Sequence, residues 1–526
     1  MKLKYITIAT ICAAAALSGS CSKVDDFLSE EPSKNSMKPI KTVEQLDAIF
    51  ASYCVYPVKF TMNQNDMVYA SDDFAVLPMV QDNYSRGYTI TLLPYMLWGD
   101  NNPDTGSHTW GAEYTKIYYA NLVLDYVDKV EGSQEDKDIL TAEAHFLRAH
   151  SYFMLALAHT LYYDGTNGDE LGLTLKQTSN FEEDLTRASL KETWDFIDAD
   201  LQEALKITKP FIRKDGKHVN WRGSTGSVHA FAARYYLYRG DYDNAKKYAQ
   251  EALGEYDKYK DFNDPDEITY NSYSRSVTLT DTGESVKIRY TNYWIQLDTY
   301  FEMESNLEAL LGWEELFYAR STKGASPWWI PSQELLDTFK EDCPGGDTQN
   351  DLRYRYFMQE NQSVATLTNK TSANLYPGYI MYMSDVLAGP TVAEMHLILA
   401  ECAARSGDAA GAMQQVNGLR KNRIDSSVYE DLTASSSSVA LKKVLQERRR
   451  EMPFTIRWYD LKRLNANDPD NKVTVTRSFY KYSSTSVLKD DGVVTYTLEP
   501  NSRHYAIPIP QDEIDKSNGV IEQNKY

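Results

Sequence analysis

The chain has 526 residues, about three to four times a typical domain of roughly 150, so size does not limit its core; 42% hydrophobic and 25% charged residues are globular values that exclude a largely disordered or fibrous chain. With 75 acidic against 55 basic residues the formal net charge is −20, which removes the cationic face that nonspecific phosphate binding needs and sets nucleic acid aside as a ligand. Aromatic residues reach 12%, and 39 Tyr outnumber 17 Phe by more than two to one; an apolar ring with a polar tip suits half-wet surfaces better than a dry core.

Lys2 and Lys4 precede an apolar run from Tyr5 to Leu17, then the small residues Ser18, Gly19 and Ser20, then Cys21, which is the layout of a secretory leader. The run is too short for a helix to cross a hydrocarbon core of about 30 Å, and no other window reaches the roughly 18 apolar residues a span requires. A cysteine directly after small residues at the end of an apolar run resembles a bacterial lipobox, although Leu17 stands four residues ahead of Cys21 rather than three. Residues 1–20 are therefore expected to be a lipoprotein signal peptide, Cys21 the lipidated residue and 21–40 a lipidated tether. Cys12 leaves with the leader, and the remaining Cys54, Cys343 and Cys402 are too few for a disulfide framework, so stability must come from packing.

From Trp110 to Val130, Tyr114, Ile117, Tyr118, Asn121, Leu122, Leu124 and Val127 recur at three-to-four spacing and predict an amphipathic helix. A second helix is predicted from Glu135 to about Tyr163, where Ala142, Ala144 and Ala149 set against Phe146, Tyr152, Phe153 and Leu155 describe closely packed antiparallel helices. A third starts after Ser189, an N-cap with Glu192 at the capping-box position, and carries Trp194, Ile197, Leu201 and Leu205 inward. Two later segments look like copies of one unit. In the first, Ala233, Gly240-Asp241, Ala245 and Ala249 follow in order; in the second, Ala400, Gly407-Asp408, Ala412 and Val416 repeat the spacing. Each reads helix, glycine turn, helix, the tetratricopeptide layout, with other material inserted between the copies.

The insert, about 261–387, is rich in Tyr, Trp, Thr, Asn, Gly and Pro. It has short β-favouring runs at Val277 to Leu279 and Val286 to Ile288 and lacks long helical periodicity; such long loops in compact proteins are usually functional. It divides an N-terminal helical region, 41–260, from a C-terminal one, 388–526. In the latter a helix carries Leu441, Val444 and Leu445 and then Arg448-Arg449-Arg450 between Glu447 and Glu451, which reads as ion pairing on a solvated face.

The common catalytic signatures are missing: no phosphate-binding or dinucleotide glycine loop, no His-Glu-x-x-His, no Gly-x-Ser-x-Gly and no Cys-x-x-Cys. His145 and His150 lie on different helix faces and no histidine pair has ligand spacing, so no metal site and no cofactor are expected. Glu182-Glu183-Asp184 and Glu314-Glu315 offer carboxylates for a glycosidase pair, but any acidic protein offers such neighbours.

Several stretches together resemble the SusD/RagB family of outer-membrane nutrient-binding lipoproteins of Bacteroidetes: WGAEYTKIYYANLVL from Trp110, AEAHFLRAHSYFML from Ala142, GDYDNAKKYAQEAL from Gly240, HLILAECAARSGDAAGAMQQVNGLR from His396, VLQERRREMPFTIRWYDLKRL from Val444 and YAIPIPQDEIDKSNGVIEQNKY from Tyr505. They fall in family order along the chain, weak singly and specific jointly. Two departures are Thr455-Ile456 for the usual Glu-Gly and Asn524-Lys525-Tyr526 for the usual terminal Asn-Pro-Gly-Tyr, both in segments read as structural. The early acidic Ser22-Lys23-Val24-Asp25-Asp26 looks like a surface-export signal of such lipoproteins. The resemblance implies a mainly α fold, a right-handed scaffold of four tetratricopeptide-like helix pairs, with long loops and a few short β-strands carrying the ligand site. It also implies a lipid-anchored outer-membrane protein facing the exterior, which caps a SusC-like TonB-dependent transporter and delivers a glycan, or in RagB-type members a peptide, by a hinged lid motion without covalent chemistry.

A glycan site needs exposed flat aromatics for sugar C–H faces and Asn, Asp, Gln or Arg for the hydroxyls. Two loop clusters fit. Trp98 and Asn101, ahead of the Trp110 helix, match the loop where the starch-binding family member carries a stacking Trp and an amide; in the insert stand Tyr290, Tyr293, Trp294 and Tyr300, then Trp328-Trp329. Asp72, in Asp72-Asp73-Phe74, joins them because the resemblance places that segment near the site. Trp194, Trp221 and Trp458 read as core. The readings weighed against glycan capture are a peptide-capturing RagB-like protein with a large polar cavity, a degrading enzyme of the same system, and a helical-repeat scaffold for other proteins.

Overall fold

The computed structural model describes residues 40–54, 65–83, 87–100, 109–295 apart from 213, 215 and 217, 313–323, 329–359, 371–372, 375–379 and 385–526. The expected leader, the lipidation site Cys21 and the tether up to residue 39 lie outside them, as do Asn101, Tyr300 and Trp328.

The N-terminal half holds α1 (Val43–Cys54), the short helices α2 (Asn65–Ala70), α3 (Pro78–Asn83) and α4 (Leu93–Met96), then α5 (Thr109–Tyr126) and α6 (Gln134–His159). A 3-10 turn at Val127–Lys129 ends α5 slightly before the predicted Val130, and Ser133 caps α6 by accepting from the Asp136 N–H. From Phe146 to His159 every residue of α6 is buried, because α5 and the next helix, α7 (Leu190–Ala204), pack on its two sides. The capping box is present: Ser189 Oγ accepts from the Glu192 N–H at 3.2 Å, and the Glu192 carboxylate accepts from the Ser189 N–H at 2.8 Å. Val43, Leu46 and Phe50 of α1 close a small second core with Ala120, Val123 and Leu147.

The two repeated units fold alike. Helix α8 (Thr225–Arg239) ends on Gly240 at φ 78°, and Asp241 caps α9 (Tyr242–Glu255) by accepting from the Asn244 N–H at 3.1 Å. The insert follows with the long hairpin β1 (Ile268–Thr278) and β2 (Ser285–Ile295), β3 (Ser321–Lys323), the helices α10 (Gln333–Lys340) and α11 (Leu352–Phe357), and the two- and three-residue strands β4 (Met358–Gln359), β5 (Gly378–Tyr379) and β6 (Asp385–Leu387). Then α12 (Val392–Arg405) reaches Gly407 at φ 94°, and Asp408 caps α13 (Ala409–Arg420) by accepting from the Gly411 N–H at 2.7 Å. Helix α9 packs on α12, so the units adjoin in space although the insert separates them in sequence. The hairpin is longer than the β-favouring runs predicted: antiparallel pairing extends from Thr278↔Ser285 back to Ile268↔Ile295, through Tyr-, Ser- and Asn-rich segments whose backbone, not their hydrophobicity, makes the ladder.

The C-terminal region adds α14 (Ser437–Glu451), α15 (Arg457–Asn467), the hairpin β7 (Val475–Tyr482) and β8 (Val487–Leu498), and α16 (Gln511–Lys516). Here the expected solvated arginine face is corrected. Arg448, Arg450 and Glu447 are buried, because α14 is enclosed by α10, α12 and α13. Arg448 donates to Asp460 and Glu394, both at 2.9 Å; Arg450 pairs with Glu447 at 2.7 Å, and Glu447 also takes Arg353 at 2.8 Å and Arg420 at 3.0 Å. Each buried charge thus has opposite partners, the condition under which burial is tolerated. The two departures at Thr455-Ile456 and the terminus are packing positions: Thr455 and Ile456 are buried, and the Asn524 amide donates to the His159 and Ile507 carbonyls. Trp194 and Trp458 lie in the core as read, whereas Trp221 is only partly buried against it.

Candidate ligand-binding site

Two of the residues predicted to touch ligand, Asp72 and Trp329, lie on segments joined by backbone pairing, and a third, Trp98, is tied to them by a side chain. Segment 72–75 runs antiparallel to 329–332: the Ala75 N–H donates to Ile330 and the Ser332 N–H to Asp73, each at 2.8 Å, and Ser332 Oγ donates to the Asp72 carbonyl at 2.6 Å. Asp72 and Trp329 therefore lie at opposite ends of one paired segment although they stand far apart along the chain. Trp98 joins through Arg477 of β7, whose guanidinium lies 4.8 Å from the indole ring while the Trp98 Nε1–H donates to the Ala70 carbonyl at 3.0 Å. Arg477 Nη1 donates to the carbonyls of Tyr69 and Met96, and Nη2 to those of Ser71 and Phe74. Burial lowers the Arg477 pKa to about 10.

The structure places these three residues, expected as ligand contacts, in a packed foundation. Trp98 is 8% exposed and Trp329 2%, so neither presents a free ring face to a sugar. Arg477 covers Trp98, and the Trp329 ring packs 5.4 Å from Phe454 while its carbonyl accepts from the Tyr379 N–H at 2.8 Å. The Asp72 carboxylate is consumed by Arg457, which donates at 2.7 and 2.8 Å, with Arg449 at 3.4 Å. Burial alone would raise its pKa, but the Arg449 and Arg457 guanidiniums outweigh that and hold it well below the usual carboxylate range. The neighbouring Asp73 takes the Arg449 Nε–H at 2.6 Å and the Phe454 N–H at 2.8 Å, Phe454 standing at φ 69°.

Above this foundation opens a cleft of about 310 Å³, lined by Asp72, Phe74 to Pro78, Ser332 to Glu334 and Val473 to Ser478. Gly99, next to Trp98, lies so close to β7–β8 that a Cβ there would come within 2.5 Å of the Tyr482 hydroxyl. The other predicted aromatics are on β2, where Tyr290 pairs with Tyr273, Tyr293 with Tyr270 and Trp294 with Thr269. Strand β2 adjoins α11 and β4, and β4 pairs with β5, whose Tyr379 N–H donates to the Trp329 carbonyl.

The arginine clamp was missed by sequence reading. Its one signal was Arg477 at an inward position of the alternation Val475, Arg477, Phe479, where a charge demands partners. Of the carboxylates considered for hydrolysis, Glu315 is buried against Arg423 at 2.9 Å and accepts from the Lys260 N–H at 2.6 Å, and Glu314 accepts from the Tyr256 hydroxyl at 3.2 Å. His150 is buried among Phe146, Phe231 and Tyr318, and burial pushes its pKa well below the ordinary imidazole value. Among the described residues, no group of His, Cys, Asp and Glu could hold a metal ion, and no helix is long and apolar enough to cross a membrane.

Helix pairs around a glycine turn, with a loop-bearing insert between the copies, define a tetratricopeptide-like helical-repeat protein. Two family models match the chain: "Starch-binding associating with outer membrane" over residues 26–237, and "SusD family" over 392–526, together about two thirds of its length. The chain belongs to the SusD/RagB family, whose members associate with the outer membrane. Among solved structures, it is similar to surface glycan-binding protein A from Bacteroides uniformis, at 16% identity and TM-score 0.60, covering 92% of this chain and 99% of that one. A SusD-like carbohydrate binding protein from Bacteroides vulgatus matches at 17% identity and TM-score 0.58, covering 92% and 98%. A laminarin binding SusD-like protein matches at 17% and 0.58, covering 92% and 99%. No curated protein matches the sequence. These likenesses show the mainly α, tetratricopeptide-like fold.

Proposed function

We propose that this protein is a non-enzymatic, cell-surface glycan-binding lipoprotein that captures oligo- or polysaccharide and delivers it to a SusC-like TonB-dependent transporter. The observation that carries the reading is family membership at both ends of the chain around a Tyr- and Trp-rich insert. It is supported by the structural relatives described as binding laminarin, surface glycan and carbohydrate. In this reading residues 261–387 bear the ligand-contacting loops, Tyr290, Tyr293, Trp294, Trp328 and Asn101 supply stacking and amide contacts, and the clamped Asp72, Trp98 and Trp329 hold the base of those loops in place. Lipid on Cys21 anchors the protein facing the cell exterior; each buried methylene adds about 0.8 kcal/mol, so several acyl chains hold it firmly.

The test is binding of the soluble protein, starting just after Cys21, to a panel of polysaccharides and oligopeptides, alongside a Tyr293→Ala/Trp294→Ala variant and Trp328→Ala. Saturable glycan binding weakened at least tenfold in these variants supports the reading. Unchanged binding moves the site away from the insert, and peptide binding with every glycan inert replaces it by peptide capture. In cells, Cys21→Ser is expected to shift the protein from the membrane to the soluble fraction; retention at the membrane removes the lipid anchor from the proposal.

A further inference from the structure

A second cleft, of about 480 Å³, lies along the outer face of α5 and shares no lining residue with the one beside Asp72. Tyr114 and Tyr118 line one side at successive helical turns, spaced roughly 6 Å along the axis by the 1.5 Å rise per residue, with the buried Trp110 one turn before them at the cleft's base. Across from them the 174–185 loop places Phe181, whose ring stacks on Tyr118 at 5.1 Å and 21° and is nonetheless 80% exposed. An aromatic side chain left so open is the unusual observation; scattered exposed aliphatics are not.

The loop presenting Phe181 is built rather than slack. The Asn121 Nδ2 group donates to the Lys176 and Thr178 carbonyls, each at 3.0 Å; Ser179 donates twice to Asp125 Oδ2 at 2.7 Å; and the Thr178 N–H and hydroxyl both reach Glu183 Oε1. Two of these anchors rise from α5 itself, so loop and helix hold a fixed separation. Asn180 and Glu513 line the same cleft. Few polar groups around aromatic walls are the composition of a small-ligand site rather than of a dry core, and fixing the walls beforehand lowers the ordering cost of binding.

We infer that this cleft is a second ligand site, for a short neutral oligosaccharide, with the Phe181–Tyr118 pair as stacking platform and Asn180 and Glu513 meeting sugar hydroxyls. The Glu513 carboxylate accepts from hydroxyl donors and, with a net charge of −20, disfavours anionic glycans; the one lysine of the lining, Lys176, is already engaged by Glu183, its Nζ donating to the Glu183 carbonyl at 3.1 Å and lying 3.9 Å from the carboxylate. The class of ligand rests on the glycan reading above; the location does not. The experiment is calorimetric titration of the soluble protein with neutral and acidic oligosaccharides and oligopeptides, comparing wild type, Phe181→Ala, Phe181→Trp and Tyr293→Ala/Trp294→Ala. Phe181→Ala should weaken one neutral-glycan component roughly three- to tenfold, the range of an aromatic contact. Phe181→Trp should restore that component, and the β2 variant should leave it unchanged. Glycan isotherms of Phe181→Ala that superimpose on wild type while the β2 variant loses binding overturn the second site and leave the first reading standing. Binding confined to acidic glycans, or to peptides through Phe181, overturns it, and inertness toward every glycan overturns both.

Discussion

Arg477 shows how one side chain can fix a site it does not enter. Its two Nη groups donate to four carbonyls from two separate stretches, at Tyr69, Ser71 and Phe74 and at Met96, and its plane covers Trp98. A buried carbonyl stripped of its donor costs about 1–3 kcal/mol. Arg477→Ala should therefore lower the unfolding free energy by at least about 3 kcal/mol in urea denaturation, and Arg477→Lys should recover little, since one ammonium with three donors cannot span four acceptors. Loss of less than about 1 kcal/mol would mean the carbonyls find other partners. Where Asp72 sits was legible from neither its sequence neighbours nor its charge, because its partners Arg449 and Arg457 lie some 380 residues away in the chain.

The helical elements were the most legible level, since caps and turns depend on residues within four positions of one another. Ser189 with Glu192, and the pairs Gly240-Asp241 and Gly407-Asp408, act where they stand in sequence. Both glycines occupy left-handed conformations, at φ 78° and 94°, where a Cβ is disfavoured by about 1–2 kcal/mol. Gly240→Ala and Gly407→Ala should each lower stability by about that amount without altering helix content, read by thermal unfolding followed by circular dichroism. A neutral effect at either position would show that its turn relaxes out of the left-handed region. Strand β2 was less legible than the helices: its pairing partner is settled by the ladder, and its hydrophobic pattern marks only the end near the turn.

Across the whole molecule, the C-terminal helices are joined by buried carboxylates held among arginines. Glu401 accepts from Arg463 at 2.7 and 2.8 Å and from Arg405 at 2.8 Å; burial opposes its ionisation, but these guanidiniums prevail and lower its pKa to about 2. Its unfolded value is about 4.3. The stability it contributes is therefore complete above that value and is lost as pH falls from about 4.3 toward 2. Denaturation midpoints should stay level on this account above pH 5 and fall steeply below it. Glu401→Gln should flatten that fall and cost about 1–3 kcal/mol at neutral pH, because buried Arg463 and half-buried Arg405 each lose one of two carboxylate partners and keep the other, Asp460 and Asp468. An acid limb unchanged in the variant would assign it to Glu394 and Asp460, which arginines likewise hold low.

By itself the sequence determined the acidic, aromatic-rich composition, the paired helices with their glycine turns and the family motifs, all of which rest on local spacing. Tertiary structure decided which aromatics are free. Trp98 and Trp329 lie in loop-like sequence yet are buried, because segments 72–75, 329–332 and β7 converge on them, whereas Phe181, beside the acidic run Glu182-Glu183-Asp184, meets Tyr118 and stays 80% exposed. The arginine run of α14 followed the same logic. Its residues read as surface charges until α10, α12 and α13 closed around them, and carboxylates such as Glu394 and Asp460 made that burial tolerable. Exposure depends on everything that packs around a residue, and that is settled by contacts hundreds of positions apart.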